Sequence, residues 1–393
     1  MDVEIGKEEA RLRMLSWLGL AGSDVSADAA GVRGLLERLR HIQLDPLDVL
    51  GTNADLVAMA RAPELKRGDV YRLLGPDADG LSPSFEHFAK VRCILPASFF
   101  PMYRDHLPTA SWWTRDREKR LPEGALDAVL AEVAERGPLP GTALSDLGRV
   151  RQLDWHGWKS TGKAATMAVE LLWRRCAVVV SGKDARGHRL YDVPERAMGP
   201  WATAPSGPWS RWAVTQRAAA SGLLPHNVGP WWSTLRPERD GGEVAAMVED
   251  GELVRVRISG LKRLFYALPG FLEIEDGGDD DRMRILGPLD PLLWDRKLVE
   301  HAFDFSYVWE VYKPAKQRQY GWYVVPLLHG GELVGRLEAR IDGDALRVDN
   351  VWWEPGKRRE EALEVALADH AERCGAAKVR WARGARARSR RTG

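Results

Sequence analysis

Cysteine is nearly missing from this sequence: Cys93, Cys176 and Cys374 are the only three, far apart and odd in number. That excludes a disulfide framework and a clustered zinc site, and it fits a reducing cytoplasm. Apolar runs are short, well under the roughly 18 residues of a membrane span, so no transmembrane segment is predicted. The opening MDVEIGKEEARLRM carries acids and no long apolar stretch, so no signal peptide is expected. An excess of charge is also lacking, since 57 Lys and Arg against 56 Asp and Glu leave +1. The total is therefore silent about nucleic acid, whose binding needs a local basic surface. There is no Gly-rich phosphate loop, dinucleotide fingerprint or metal-ligand motif, so neither a cofactor nor a metal is expected.

What is present describes a globular protein: 393 residues, 45% hydrophobic and 29% charged. That length suggests roughly two to four compact units. The 17 tryptophans are suited to cores and cleft walls. Acids gather in EIEDGGDDD at residues 273–281, while Arg383, Arg386, Arg388, Arg390 and Arg391 follow Trp381 with no acid among them. A solvated tail is the expected reading, ahead of a DNA-contacting arm.

Apolar spacing predicts helices over residues 8–19 and 29–40, the second through Ala29, Val32, Leu35, Leu36 and Leu39. It runs into His41-Ile42-Gln43-Leu44-Asp45, and Pro46 prevents smooth helical continuation. If extended, this segment sends Gln43 and Asp45 out from one face and Ile42 and Leu44 toward the core. The competing local reading makes Asp45 a helix cap with Pro46 at the first helical position.

Residues 125–196 read as a helix at 128–134, a short helix at 142–147 and a third from Lys163 to Cys176. A hairpin follows, from Val178 to Val180 and from Arg189 to Asp192, around a polar turn. Three helices and a hairpin describe a winged helix, whose third helix and hairpin tip commonly meet DNA. The order recurs more loosely over residues 208–268, and residues 8–80 are a candidate third copy. Beyond the acidic linker, residues 308–312, 321–327, 332–339 and 346–349 are strand-like and 358–374 helical. The expected fold is therefore α+β, with tandem winged-helix domains followed by a C-terminal β-rich, barrel-like domain. Its units are 1–120, 121–200, 201–270 and 283–393.

Several segments in order carry a family resemblance: residues 42–46 (IQLDP), 85–88 (FEHF) with Leu95-Pro96, 158–164 (WKSTGKA), 191–196 (YDVPER), 288–296 (PLDPLLWDR) and 312–323 (YKPAKQRQYGWY). In these the chain resembles the AlkZ/YcaQ-type winged-helix DNA glycosylases, which release alkylated bases and unhook interstrand crosslinks. The resemblance implies Gln43 and Asp45 as catalytic residues, in the Gln–hydrophobic–Asp branch similar to YcaQ. The chain departs where the family often has Lys-Pro, at Ser160-Thr161-Gly162, and residues 201–287 resemble the family only loosely.

The chemistry fits a sparse motif. An N7-alkylated guanine is cationic and leaves neutral, so no general acid is needed. A carboxylate at Asp45 can stabilise the sugar cation and activate water, and Gln43 can hold that water. Attack by water involves no Schiff base, so a monofunctional glycosylase without a lyase step is expected. For DNA, the basic turn with Lys313, Lys316, Arg318, Tyr320 and Trp322 is the first candidate, against an ordinary solvated hairpin. Lys159 and Lys163 are further phosphate candidates, against a plain solvated face. His87 reads as a structural histidine, and Asp290 as a turn former or a cleft residue. The expected partner is double-stranded DNA bearing alkylated bases, met by a cytoplasmic, nucleoid-associated monomer without membrane contact. The rival readings are a non-catalytic winged-helix regulator and a protein that sequesters a DNA-alkylating metabolite.

Overall fold

A computed structural model describes residues 2–22, 25–106, 112–151, 161–275, 277–278, 281–382 and 387–389. Helices and strands are mixed along the chain, which divides into two compact units. One comprises Met1–Val70, Ala89–Val91 and Ser210–Gly393, the other Tyr71–Phe88 and Arg92–Trp209.

In the first unit, the helix Ala29–Leu39 starts where Asp28 accepts the Gly31 amide at 2.7 Å. It buries Val32, Leu35, Leu36 and Leu39, and it stops at Arg40 in the left-handed region, φ 63°. The chain then turns directly into the strand Ile42–Gln43. The next helix, Asn53–Met59, opens with a capping box in which Thr52 and Asp55 satisfy each other's amides. All seven of its residues are buried. Later in the unit comes the order helix Trp209–Ser221, strand Leu224–Pro225, helices Arg236–Asp240 and Glu243–Glu249, then the hairpin Val254–Ile258 with Leu261–Ala267. The N-terminal strand Asp2–Ile5 adds to this sheet, parallel to Val254–Ile258.

The C-terminal part of the same unit is a six-stranded sheet. Its long strands Val324–His329, Glu332–Asp342 and Ala345–Trp353 pair antiparallel, and register shifts at 327/328 and 338/339 curl it into a half-barrel. The helix Glu360–Arg373 lies against its strands, close to the helix expected at 358–374. Bonds tie this part to the segment after Gln43: the Ile341 amide donates to the Val49 carbonyl at 2.9 Å, His370 Nε2 lies 2.8 Å from the Leu50 carbonyl, and Cys374 Sγ donates to the same carbonyl at 3.3 Å.

In the second unit, the helices Ala125–Arg136 and Ala164–Arg174 and the hairpin Val179–Lys183 with Arg189–Asp192 share one core. It includes Val129, Val133, Val169, Leu172, Trp173 and Tyr191. The short strand Leu139–Pro140 pairs with Arg189–Asp192.

Three local expectations change. The helix expected at 142–147 is a 3-10 turn, Gly141–Ala143, followed by extended chain. There Ser145 gives its amide and hydroxyl to Glu132, and Asp146 takes the Gly148 amide at 2.9 Å. Side-chain bonds of this kind compete with a helix for the backbone. Residues 308–312 are not a strand, because the chain turns around the buried Glu310. Asp45 caps no helix, since the next one begins at Asn53 under its own Thr52 cap.

Candidate active site

His41, Gln43 and Asp45 alternate along extended chain, and Ile42 between the first two is fully buried. The strand itself covers only Ile42 and Gln43, and Gln43 and Asp45, two residues apart, are both half-buried while His41 is buried. Gln43 is half-buried, and among the described residues its Oε1 is buried without a hydrogen-bond partner. Asp45 is also half-buried, and its Oδ1 accepts the Leu47 amide at 2.9 Å. This is an Asx turn, which aims the carboxylate without spending it on a helix. Leu44 is only half-buried, less than alternation alone predicts.

The sequence reading overlooked His41, although it shares the spacing of Gln43 and Asp45. Its ring stacks on Trp294 with centroids 4.9 Å apart, and its Nε2 is buried with no partner among the described residues. Burial, reinforced by the positive charges of Arg217 and Lys90, holds its pKa well below that of a free histidine. The Lys90 ammonium lies 4.6 Å from the same Trp294 ring. The site thus presents a neutral imidazole at pH 7.

Asn53 fixes the strand from behind. Its amide nitrogen donates to the Gln43 carbonyl at 2.8 Å, and its oxygen accepts the Leu289 amide at 3.1 Å. Gly287 is required beside it, since a Cβ there would stand 2.8 Å from the same Asn53 oxygen. One residue beyond Leu289, Asp290 and Arg61 form a fully buried ion pair at 2.7 Å. Arg61 also donates to the carbonyls of Leu18 and Val57. The segment 287–294 is therefore a brace for Gln43, and Asp290 is buried in it rather than facing a cleft. Asn53 and Arg61 carried no signal of their own, because the partners that join them to the brace, Leu289 and Asp290, lie more than two hundred residues away.

The basic turn is organised by Glu310, 2% exposed. It accepts Lys313 Nζ at 2.8 Å and the amides of Gln319 and Tyr320 at 2.9 Å each. Burial raises its pKa, but these bonds and the Lys313 charge outweigh that and keep it below the usual value. Arg318 donates to the Lys313 carbonyl at 2.8 Å, which closes the loop. Lys316 is exposed on the 3-10 turn Ala315–Gln317. Tyr320 is wedged inward, edge-on to Trp352 at 5.4 Å with the Arg336 guanidinium 4.6 Å from its ring. Arg336 is itself buried and paired with Glu354. The exposed aromatics are Tyr312, at 81%, and Trp322, at 41%. Gly321 allows the close approach of Glu338, whose carboxylate takes the Trp322 amide and would collide with a Cβ. Next in the chain, buried Tyr323 has its pKa raised by burial, with smaller contributions from the charges of Asp45 and Asp48. The loop and the Gln43–Asp45 segment thus belong to one unit and are electrostatically in touch.

Lys163 belongs to the other unit, exposed at the start of the helix Ala164–Arg174, and Lys159 lies outside the described residues. His87 is buried among Phe85, Tyr103 and Trp173, and burial lowers its pKa to about 4, as befits a structural histidine. No helix among the described residues is long and apolar enough to cross a membrane.

The model of the family described as "DNA glycosylase AlkZ-like" matches residues 36–375 of this chain. Among solved structures, the chain is similar to the Streptomyces sahachiroi DNA glycosylase AlkZ, with a TM-score of 0.58 and 19% sequence identity. That match covers 97% of this chain and 100% of the other, and at such identity it speaks for the fold.

Proposed function

The chain belongs to the AlkZ-like DNA glycosylase family, and from that premise we propose that it hydrolyses the N-glycosidic bond of N7-alkylated purines in duplex DNA. Water is the nucleophile. Asp45 stabilises the oxocarbenium-like sugar and takes the proton of the attacking water, while Gln43 holds that water in line. The base departs neutral because alkylation has already charged it, so no acid is needed on its side. No amine attacks the sugar, so the enzyme is monofunctional and leaves an intact abasic site.

What supports this reading is the pairing, two residues apart, of half-buried Asp45 with Gln43, whose buried side-chain oxygen has no hydrogen-bond partner among the described residues. A buried amide left in that state costs about 1–3 kcal/mol, which a substrate-bound water would recover. The loop with Lys313, Lys316, Arg318, Tyr320 and Trp322 supplies phosphate contacts, with Lys313 and Tyr320 acting mainly as its supports. Lys163, and Lys159 with it, are read as phosphate contacts of the second unit.

Over residues 125–192 the order is helix, short strand, helical turn, two-stranded ribbon, helix and hairpin, and over 209–267 it is helix, short strand, helical turn, two helices and hairpin; the shared part of that order supports reading both as winged helices. Crosslink unhooking follows if the lesion is met in an open groove, without the extrusion that a tethered base forbids.

The test is release of 7-methylguanine from duplex DNA by Asp45→Ala. Release should be abolished and binding to undamaged duplex retained. Undiminished release would remove Asp45 from the chemistry, and the absence of abasic sites with the unaltered protein would favour a non-catalytic DNA-binding regulator.

A further inference from the structure

Residues 149–151 and 161–163 form a two-stranded antiparallel ribbon that leads into the helix Ala164–Arg174. Arg149 faces Lys163 across it, Val150 faces Gly162, and Arg151 faces Thr161. Val150 is 8% exposed and packs with Ala164, Met167 and Leu171, which pins one face of the ribbon to the core. The base is pinned as well, since the Ala164 amide donates to the Gly148 carbonyl at 2.8 Å.

Alternation then dictates the other face. Arg149 and Arg151 flank Val150 and point away from the core, and both are exposed, as are Lys163 and Thr161. Arg149 is held across the ribbon by Thr161, whose hydroxyl and carbonyl accept its Nε and Nη2 at 3.2 and 3.0 Å. Among the described residues, no carboxylate pairs with Arg149, Arg151 or Lys163. Elsewhere in the unit Arg117 pairs with Glu170, Arg175 with Glu118 and Arg196 with Asp192. Three cations on one rigid face, about 5–7 Å from neighbour to neighbour, repel one another. That cost is relieved by a polyanion with closely spaced charges.

We propose that Arg149 and Arg151, in line with Lys163, form a second duplex-DNA contact that grips backbone phosphates and reads no bases. This deepens the DNA-glycosylase reading and rests on it only for the choice of duplex DNA. Phosphate contact positions a protein on the duplex without sequence preference, and it releases counterions. The double variant Arg149→Gln/Arg151→Gln keeps Val150 and the ribbon's backbone pairing.

The measurement is binding of the full-length protein to an undamaged duplex across a range of salt concentrations. Each lost phosphate contact lowers the slope of log affinity against log salt by about 0.9, so the Gln pair should lower it by about 2. The pair Arg149→Lys/Arg151→Lys should stay near the parent slope. An unchanged slope for the Gln pair, or equal loss in both pairs, overturns the proposal. So does a slope change seen only with single-stranded nucleic acid. Base release is not read in this assay. A failure of the Asp45 chemistry with a lowered slope for the Gln pair would therefore sink the glycosylase mechanism and leave the ribbon standing.

Discussion

Residues 41–45 and residues 310–322 lie in the same unit, yet they hold their functional groups by opposite means. In the first, the backbone is locked by Asn53 and the 287–294 brace, while among the described residues His41 Nε2 and Gln43 Oε1 are buried without hydrogen-bond partners. In the second, the buried Glu310 consumes one amine and two amides at the base of the loop, while Lys316, Tyr312 and Trp322 stand in solvent. A catalytic group needs a fixed position and a dry surrounding, where electrostatics are strong. A phosphate contact needs only charge and reach, and it works in water. The two stretches therefore differ in what their substitution should disturb.

The largest expected effect lies in the brace. Asp290→Asn breaks a fully buried ion pair and leaves Arg61 uncompensated, a change that typically costs about 3–5 kcal/mol. The denaturant midpoint should fall sharply, and base release should fall with it. A near-parental midpoint would mean that the brace is dispensable.

Acid should loosen the segment after Gln43 next. His370, which bonds the Leu50 carbonyl, is held at about 4 by burial, against its ordinary 6.5. Below pH 6.5 the unfolded chain takes up a proton that the folded chain refuses, so this contribution is complete above 6.5 and lost between 6.5 and 4. It amounts to roughly 3 kcal/mol. Replacing His370 by Gln should flatten that part of the stability-against-pH curve, and an unchanged curve would contradict the assignment.

Asn53→Ala removes two bonds that fix Gln43 from behind and should cost about 1–3 kcal/mol. Its sharper signature is a fall in the rate of base release at saturating DNA, with duplex affinity kept. Equal loss of rate and affinity would erase the distinction between the two stretches. Smallest of all, Lys316→Ala should leave folding untouched and lower the salt slope of duplex binding by about 1. A fold defect in that variant would mean that the loop is structural.

How much of this was legible follows from how local each cause is. The helix from Ala29 to Leu39 and the short strand at Ile42–Gln43 depend on neighbours and could be read from spacing, whereas the expected burial of Leu44 could not. His41 gives no such sign in the sequence, since its stacking on Trp294 is a contact between residues far apart in the chain. Asn53, Arg61 and the brace could not be read, since their meaning lies in contacts made across most of the chain. The strand expected at 308–312 failed for a related reason: one buried carboxylate, Glu310, collects the loop around itself and overrides the strand pattern. The short helix at 142–147 lost its backbone bonds to Glu132 and Asp146, which propensity alone does not weigh.

The account stands most directly on the charge of Asp45. Asp45→Asn keeps the shape and the oxygen that accepts the Leu47 amide, and removes only the negative charge. Single-turnover release of 7-methylguanine from duplex DNA by this variant should fall by roughly 100-fold or more, with affinity for undamaged duplex unchanged. Release at the parental rate would contradict the central claim that this carboxylate, and not the fold around it, performs the hydrolysis.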